Sequence, residues 1–148
     1  MDKRFWICGL AMSVATLLLG FVVHGWLLKG DYAPLIGTLL RTPEDSKAYF
    51  HWMLLADALI GFAMTWLYRF GFSEGRSTAG QGLRFGLAVA LLTVVPMHLI
   101  YYAVQPTPGG LAVKQIALDT IRFLLLGLLI AYLQPRRPVL GESGSGLR

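Results

Sequence analysis

Residues 5–28 read FWICGLAMSVATLLLGFVVHGWLL, a run without Asp, Glu, Lys or Arg. As an α-helix rising ~1.5 Å per residue it is ~36 Å long, enough to cross the ~30 Å hydrocarbon core of a bilayer. The apolar stretch of a cleaved secretory leader is shorter, and no small-x-small cleavage site follows this one, so the run is expected to be retained as a helix.

Three further runs have the same length and character: about 49–68, interrupted by Asp57; 83–104, with Arg84 at its edge and Pro96 and His98 inside; and 111–133, containing Lys114, Asp119 and Arg122. Composition agrees. Of 148 residues, 55% are hydrophobic and 14% charged, against about 25% charged in an ordinary soluble domain. So little charge cannot cover a globule in water, and so much apolar character excludes disorder. The lone Cys8 excludes a disulfide scaffold. Backbone polar groups in lipid must be satisfied within the segment, and the short alternating strands of a membrane barrel are missing. The expected fold is all-α, a four-transmembrane-helix bundle over residues 1–134, with a disordered tail at 135–148.

The connectors carry the right punctuation. Thr42-Pro43-Glu44-Asp45 reads as an N-cap, a proline at the first helical position and acids in the first turn. Residues 35–40 are expected to form a short interfacial helix, 71–82 a flexible glycine-rich turn and 105–110 a tight turn. Basic residues are commoner at the N-terminus, in the second connector and in the tail (Lys3, Arg4, Arg69, Arg76, Arg84, Arg136, Arg137 and Arg148) than in the first and third connectors. Both termini are therefore expected to be cytoplasmic. The net charge of +5 fits this bias and anionic lipid headgroups better than nucleic acid.

Close packing in lipid relies on small residues. The first span aligns Gly9, Ser13, Thr16, Gly20 and His24 on one face; the second Asp57, Gly61, Thr65 and Tyr68; the third Gly82, Gly86, Ala90, Thr93 and Met97; the fourth Gln115, Asp119 and Arg122. These faces are expected to turn inward or to form contacts in a homo-oligomer or with a membrane-protein partner. Pro96 leaves the carbonyl near Leu92 without its usual donor and is expected to kink the third span.

Counting from the far span ends, His24 lies ~6 Å deep, His98 ~9 Å, Asp119 ~12 Å, Asp57 ~13 Å and Arg122 ~16 Å, at the helical rise per residue. All five fall in one half of the bilayer or at its midplane. Each costs at least ~2.5 kcal/mol at the helix centre if unpaired, so all should face inward and find partners. Asp57 or Asp119 with Arg122 can be a purely structural pair that fixes register. Alternatively the five line a periplasm-facing pocket for a small-molecule ligand, with Arg122 holding an anionic group and a His or Asp taking up a proton. His24 and His98, at similar depth, are also compatible with two axial ligands of a b-type haem. No metal-binding spacing occurs, and no phosphate loop, nucleophile elbow or Cys-x-x-Cys. Neither a catalytic residue nor a resident cofactor is expected. The aromatic residues near span ends, among them Trp26, Tyr32, Trp52 and Tyr101, fit an interfacial belt.

The segment Phe21-Val22-Val23-His24-Gly25-Trp26-Leu27-Leu28 followed by Tyr32, and Gly80-Gln81-Gly82-Leu83-Arg84-Phe85-Gly86-Leu87 with Val95-Pro96 beyond it, resemble motifs of small uncharacterised bacterial four-helix integral membrane proteins. The likeness covers roughly residues 5–133. It implies four helices in a bacterial inner membrane; no residue inherits a role from it.

Overall fold

The computed structural model describes residues 3–70 and 77–134. The tail expected at 135–148 and the first half of the glycine-rich turn expected at 71–82 lie outside them; the second half is not a flexible turn, because Ser77 caps a helix that begins at Thr78. Four helices are long and apolar enough to cross a membrane: Lys3–Leu27, Pro43–Tyr68, Thr78–Val104 and Gly109–Leu133.

The first begins as α1 (Lys3–Gly20) and continues as a π-helical segment, Phe21–Leu27. Leu28 N–H donates to Val23 O at 2.9 Å, five residues back rather than four. A single helical turn, α2 (Lys29–Tyr32), and a 3₁₀ turn (Ala33–Leu35) follow. The interfacial helix expected at 35–40 does not form. Gly37 adopts φ 82° and its N–H bonds Leu40 O at 2.8 Å, closing a tight loop there instead. Only glycine enters that left-handed region without a steric penalty, which is why the segment turns rather than winds.

The helix α3 (Pro43–Tyr68) starts at the expected cap. Thr42 Oγ1 accepts from Asp45 N–H at 3.3 Å, and Pro43 occupies the first turn. It begins six residues before the apolar run because capping, not hydropathy, decides where a helix starts. Next, α4 (Thr78–Leu92) opens on Ser77, whose Oγ accepts from Gly80 N–H. The break comes at Thr93, where α4 gives way to α5 (Val94–Val104). This is the kink expected from Pro96, which has no N–H for the turn ending at Leu92. The last helix is α6 (Gly109–Leu133).

The helices pack in pairs, α1 on α3 and α4 on α6, and the pairs meet along α1 and α6. Glycine sets the approach of each pair. A Cβ on Gly61 would strike the Ser13 backbone, and one on Gly82 would lie 2.6 Å from Gly127 O. A Cβ on Gly127 would lie 2.7 Å from Gly86 N and Cα. The small-residue faces of the first two spans, and that of the third as far as Ala90, are thus used inside the chain; past the break at Thr93 the third face turns away, leaving Thr93 and Met97 exposed. The fourth contributes Gly127, a lone glycine among leucines that shows no periodic pattern of its own.

An apolar core of Cys8, Met12, Met64, Tyr68, Ala90, Val94, Phe123, Leu126, Ile130 and Ala131 fills the half nearest the N-terminus. There Arg4 Nη2 and Cys8 Sγ donate to Leu133 O, tying α1 to the end of α6. A smaller cluster (Val23, Leu28 and Leu111, with Tyr32, Leu35 and Leu118 against it) closes the opposite end. Outward-facing Ile7, Leu10, Leu18, Leu59, Leu92 and Val104 are exposed, an apolar girdle suited to lipid rather than water.

Candidate functional site

Between the two apolar clusters lies the polar network, and the structure brings together all five residues singled out from the sequence. Asp57 and Asp119 are both buried. Arg122 stands between them: Nη2 donates to Asp57 Oδ1 at 3.2 Å and to Thr16 O at 2.8 Å, while Nη1 reaches Asp119 Oδ1 at 3.5 Å. The first two contacts fasten α6 to α3 and α1, and the third runs back one turn along α6. Gly20 makes room for the guanidinium, since a Cβ there would lie 2.9 Å from Arg122 Nη2.

Asp119 collects more than the arginine. His24 Nε2 lies 3.2 Å from its Oδ1 and His98 Nε2 2.9 Å from its Oδ2. One carboxylate of α6 is thereby bracketed by imidazoles from the π-helical segment and from α5. Both histidines owe their aim to irregular backbone. The widened π turn carries His24, and the break at Thr93 redirects the helix that carries His98.

Two further residues join the network, although sequence alone points Tyr32 to an aromatic belt and Gln115 to a packing face. The Tyr32 hydroxyl lies 2.7 Å from His24 Nδ1, and Gln115 Nε2 donates to that hydroxyl at 3.0 Å. The Tyr32 ring also stacks on His24 at 6.1 Å between centroids. Burial pushes the Tyr32 phenol above its ordinary value, with the Gln115 hydrogen bond opposing, so the hydroxyl keeps its proton. The sequence signal for Gln115 is its position one turn before Asp119 on the same stripe. For Tyr32 the signal is only its place in the motif after His24. On the surface above, Lys114 Nζ pairs with Asp31 at 2.7 Å, so two adjacent residues of α2 are tied to two adjacent residues of α6.

Charge balance defines what this arrangement can do. Asp57, Asp119 and Arg122 sum to −1 with both imidazoles neutral. One added proton makes the network neutral, the state favoured in a low-dielectric interior. Access differs between members: 34% of the His24 side chain is exposed and 15% of His98, against 6% of Asp119. Arg122 gives Nη1 and Nη2 to the chain's own acceptors, while its buried Nε has no hydrogen-bond partner among the described residues. Both Nε2 atoms that a haem would need are turned to Asp119. Among the described residues, no group of three His, Cys, Asp or Glu side chains is placed to hold a metal ion. His51 stands apart on the exposed part of α3, its ring 5.0 Å from that of Trp52. Set against known protein families, curated proteins and solved structures, the chain matches none.

Proposed function

We propose that the protein is a small transporter or ligand-binding protein of the bacterial inner membrane, whose polar core takes up one proton and, in its deprotonated form, a small monocation. The basic-residue bias puts both termini in the cytoplasm and the polar core toward the periplasm. One observation carries this reading: a five-residue network, His24, Asp57, His98, Asp119 and Arg122, whose formal charge is −1 until a single positive charge joins it. A register-fixing pair needs two residues. Two further histidines on one carboxylate are the means of holding a mobile proton. The test is proton release from the protein in lightly buffered detergent on adding tetramethylammonium. Release of up to about one proton per chain, lost in Asp57→Asn, is expected on this charge balance; equal signals from the two proteins would refute the cation half of the reading.

A second reading, an oligomeric or accessory subunit, is favoured by a separate feature. Every residue of α3 from Pro43 to Ala56 is exposed, so the outer half of this helix has no packed face within the chain. Disulfide capture through Leu55→Cys in native membranes, giving a discrete dimer or a single heterologous adduct, would support it; exclusively monomeric chain would count against it.

A further inference from the structure

Donor and acceptor accounting in the network distinguishes its two histidines. Gln115 donates to the Tyr32 hydroxyl, so Tyr32 directs its single proton onto His24 Nδ1. Nδ1 must then be bare, and the one proton of His24 sits on Nε2, donated to Asp119 Oδ1. A second proton on His24 would set two donors face to face at 2.7 Å unless Tyr32 turned its own proton elsewhere. Among the described residues no other acceptor meets that hydroxyl. His98 is under no such constraint. Its Nε2 donates to Asp119 Oδ2 in either charge state, and its Nδ1 has no hydrogen-bond partner among the described residues.

We propose that the exchangeable proton is carried on Nδ1 of His98, while Tyr32 and Gln115 lock His24 as a neutral Nε2–H donor. This rests on the reading that the core takes up a proton. The charges around each ring agree with the division. His98, on α5, faces Asp119 of α6, with Arg122 one contact further on. His24 faces Asp119 of α6 and Tyr32 of α2, and Asp57 of α3 acts on it from beyond Arg122. A proton on His98 leaves the network neutral and every hydrogen bond in it intact. The same proton on His24 would break the relay from Gln115 to Asp119. Tyr32 and Gln115 are thus positioning residues that give two imidazoles on one carboxylate different tasks, one a fixed donor and one a proton carrier.

The test is a ¹⁵N spectrum of the ring nitrogens in the full-length protein, labelled at histidine, in detergent from about pH 5 to pH 8, the range in which imidazoles commonly titrate. His51→Gln identifies the exposed ring, and contacts with the Tyr32 ring identify His24. The wild-type expectation is that His98 passes between neutral and imidazolium while His24 keeps the neutral Nε2–H pattern throughout. In Tyr32→Phe, His24 should begin to titrate or to mix tautomers. A wild-type His24 that titrates while His98 does not would overturn the assignment and leave proton uptake standing; a reversed Gln115 amide, accepting from Tyr32, would have that effect. Two rings that both stay neutral throughout would overturn the assignment and proton uptake together. Proton counting gives an independent readout: His98→Gln should abolish uptake beyond that of His51, and undiminished uptake in that variant would overturn the assignment.

Discussion

Replacing Arg122 with leucine isolates the energetics of the network. The guanidinium donates the only hydrogen bond that Asp57 makes within the described residues, at 3.2 Å, and one of three contacts to Asp119. The Arg122 and Asp57 side chains are 11% and 12% exposed, so water screens the pair little. Removing one partner of such a pair costs about 3–5 kcal/mol, because the other is left charged and dry. Asp119 keeps both histidines, so the loss should come almost entirely from Asp57. The double variant Asp57→Leu/Arg122→Leu removes the stranded carboxylate as well and should regain at least ~2 kcal/mol over the single variant, since apolar replacement of a whole buried pair is often neutral. Reversible unfolding in mixed micelles, followed by tryptophan fluorescence, measures both. A single variant within about 1 kcal/mol of wild type, or a double variant less stable than the single, would refute the account of Arg122 as the neutralising centre.

Three other outcomes follow from particular contacts. Gly127→Ala should destabilise by roughly 1–3 kcal/mol by pushing α4 off α6, read as a lower unfolding midpoint; an unchanged midpoint would mean the two helices are not held at glycine distance. Because burial raises the Tyr32 phenol above its ordinary 10.0, its contribution is fully present below that value and is lost as pH rises through the higher folded-state value. Wild type should therefore lose more stability above about pH 10 than Tyr32→Phe does, and identical alkaline limbs would contradict this. Asp31→Asn should cost no more than about 1 kcal/mol, because Lys114 is more than half exposed and the pair is screened; a larger loss in the same unfolding assay would show that α2 is held chiefly by that pair.

How far the sequence discloses this architecture depends on the kind of information each feature needs. Four helices were legible because the interval a bilayer imposes is written in consecutive residues, and the cap at Thr42 because it is local chemistry. Asp57, Asp119, Arg122, His24 and His98 could be grouped because charge in lipid must be paired and their depths agreed. Which oxygen meets which nitrogen was not legible, since that depends on helix rotation. Gly127 was missed because its partners, Gly82 and Gly86, lie on another helix. Tyr32 was missed because an interfacial tyrosine has a sufficient explanation without a ligand. The loop at 35–40 was misread as helix because its leucines and isoleucine suit either state, and the positive φ at Gly37 decides between them only in context.

The wide coil at Phe21–Leu27 has a consequence for how sequence change acts on the protein. It accommodates one residue more per hydrogen-bonded ring than an α-helix, so the direction of His24 is set by the length of the chain as well as by its chemistry. Deleting any one residue between Phe21 and His24 would move the imidazole back around the axis relative to α1, off Asp119, with every polar residue still present. The network is therefore more vulnerable to a shift of register than its composition suggests, and insertions or deletions in this short stretch should be tolerated less well than substitutions on its lipid side.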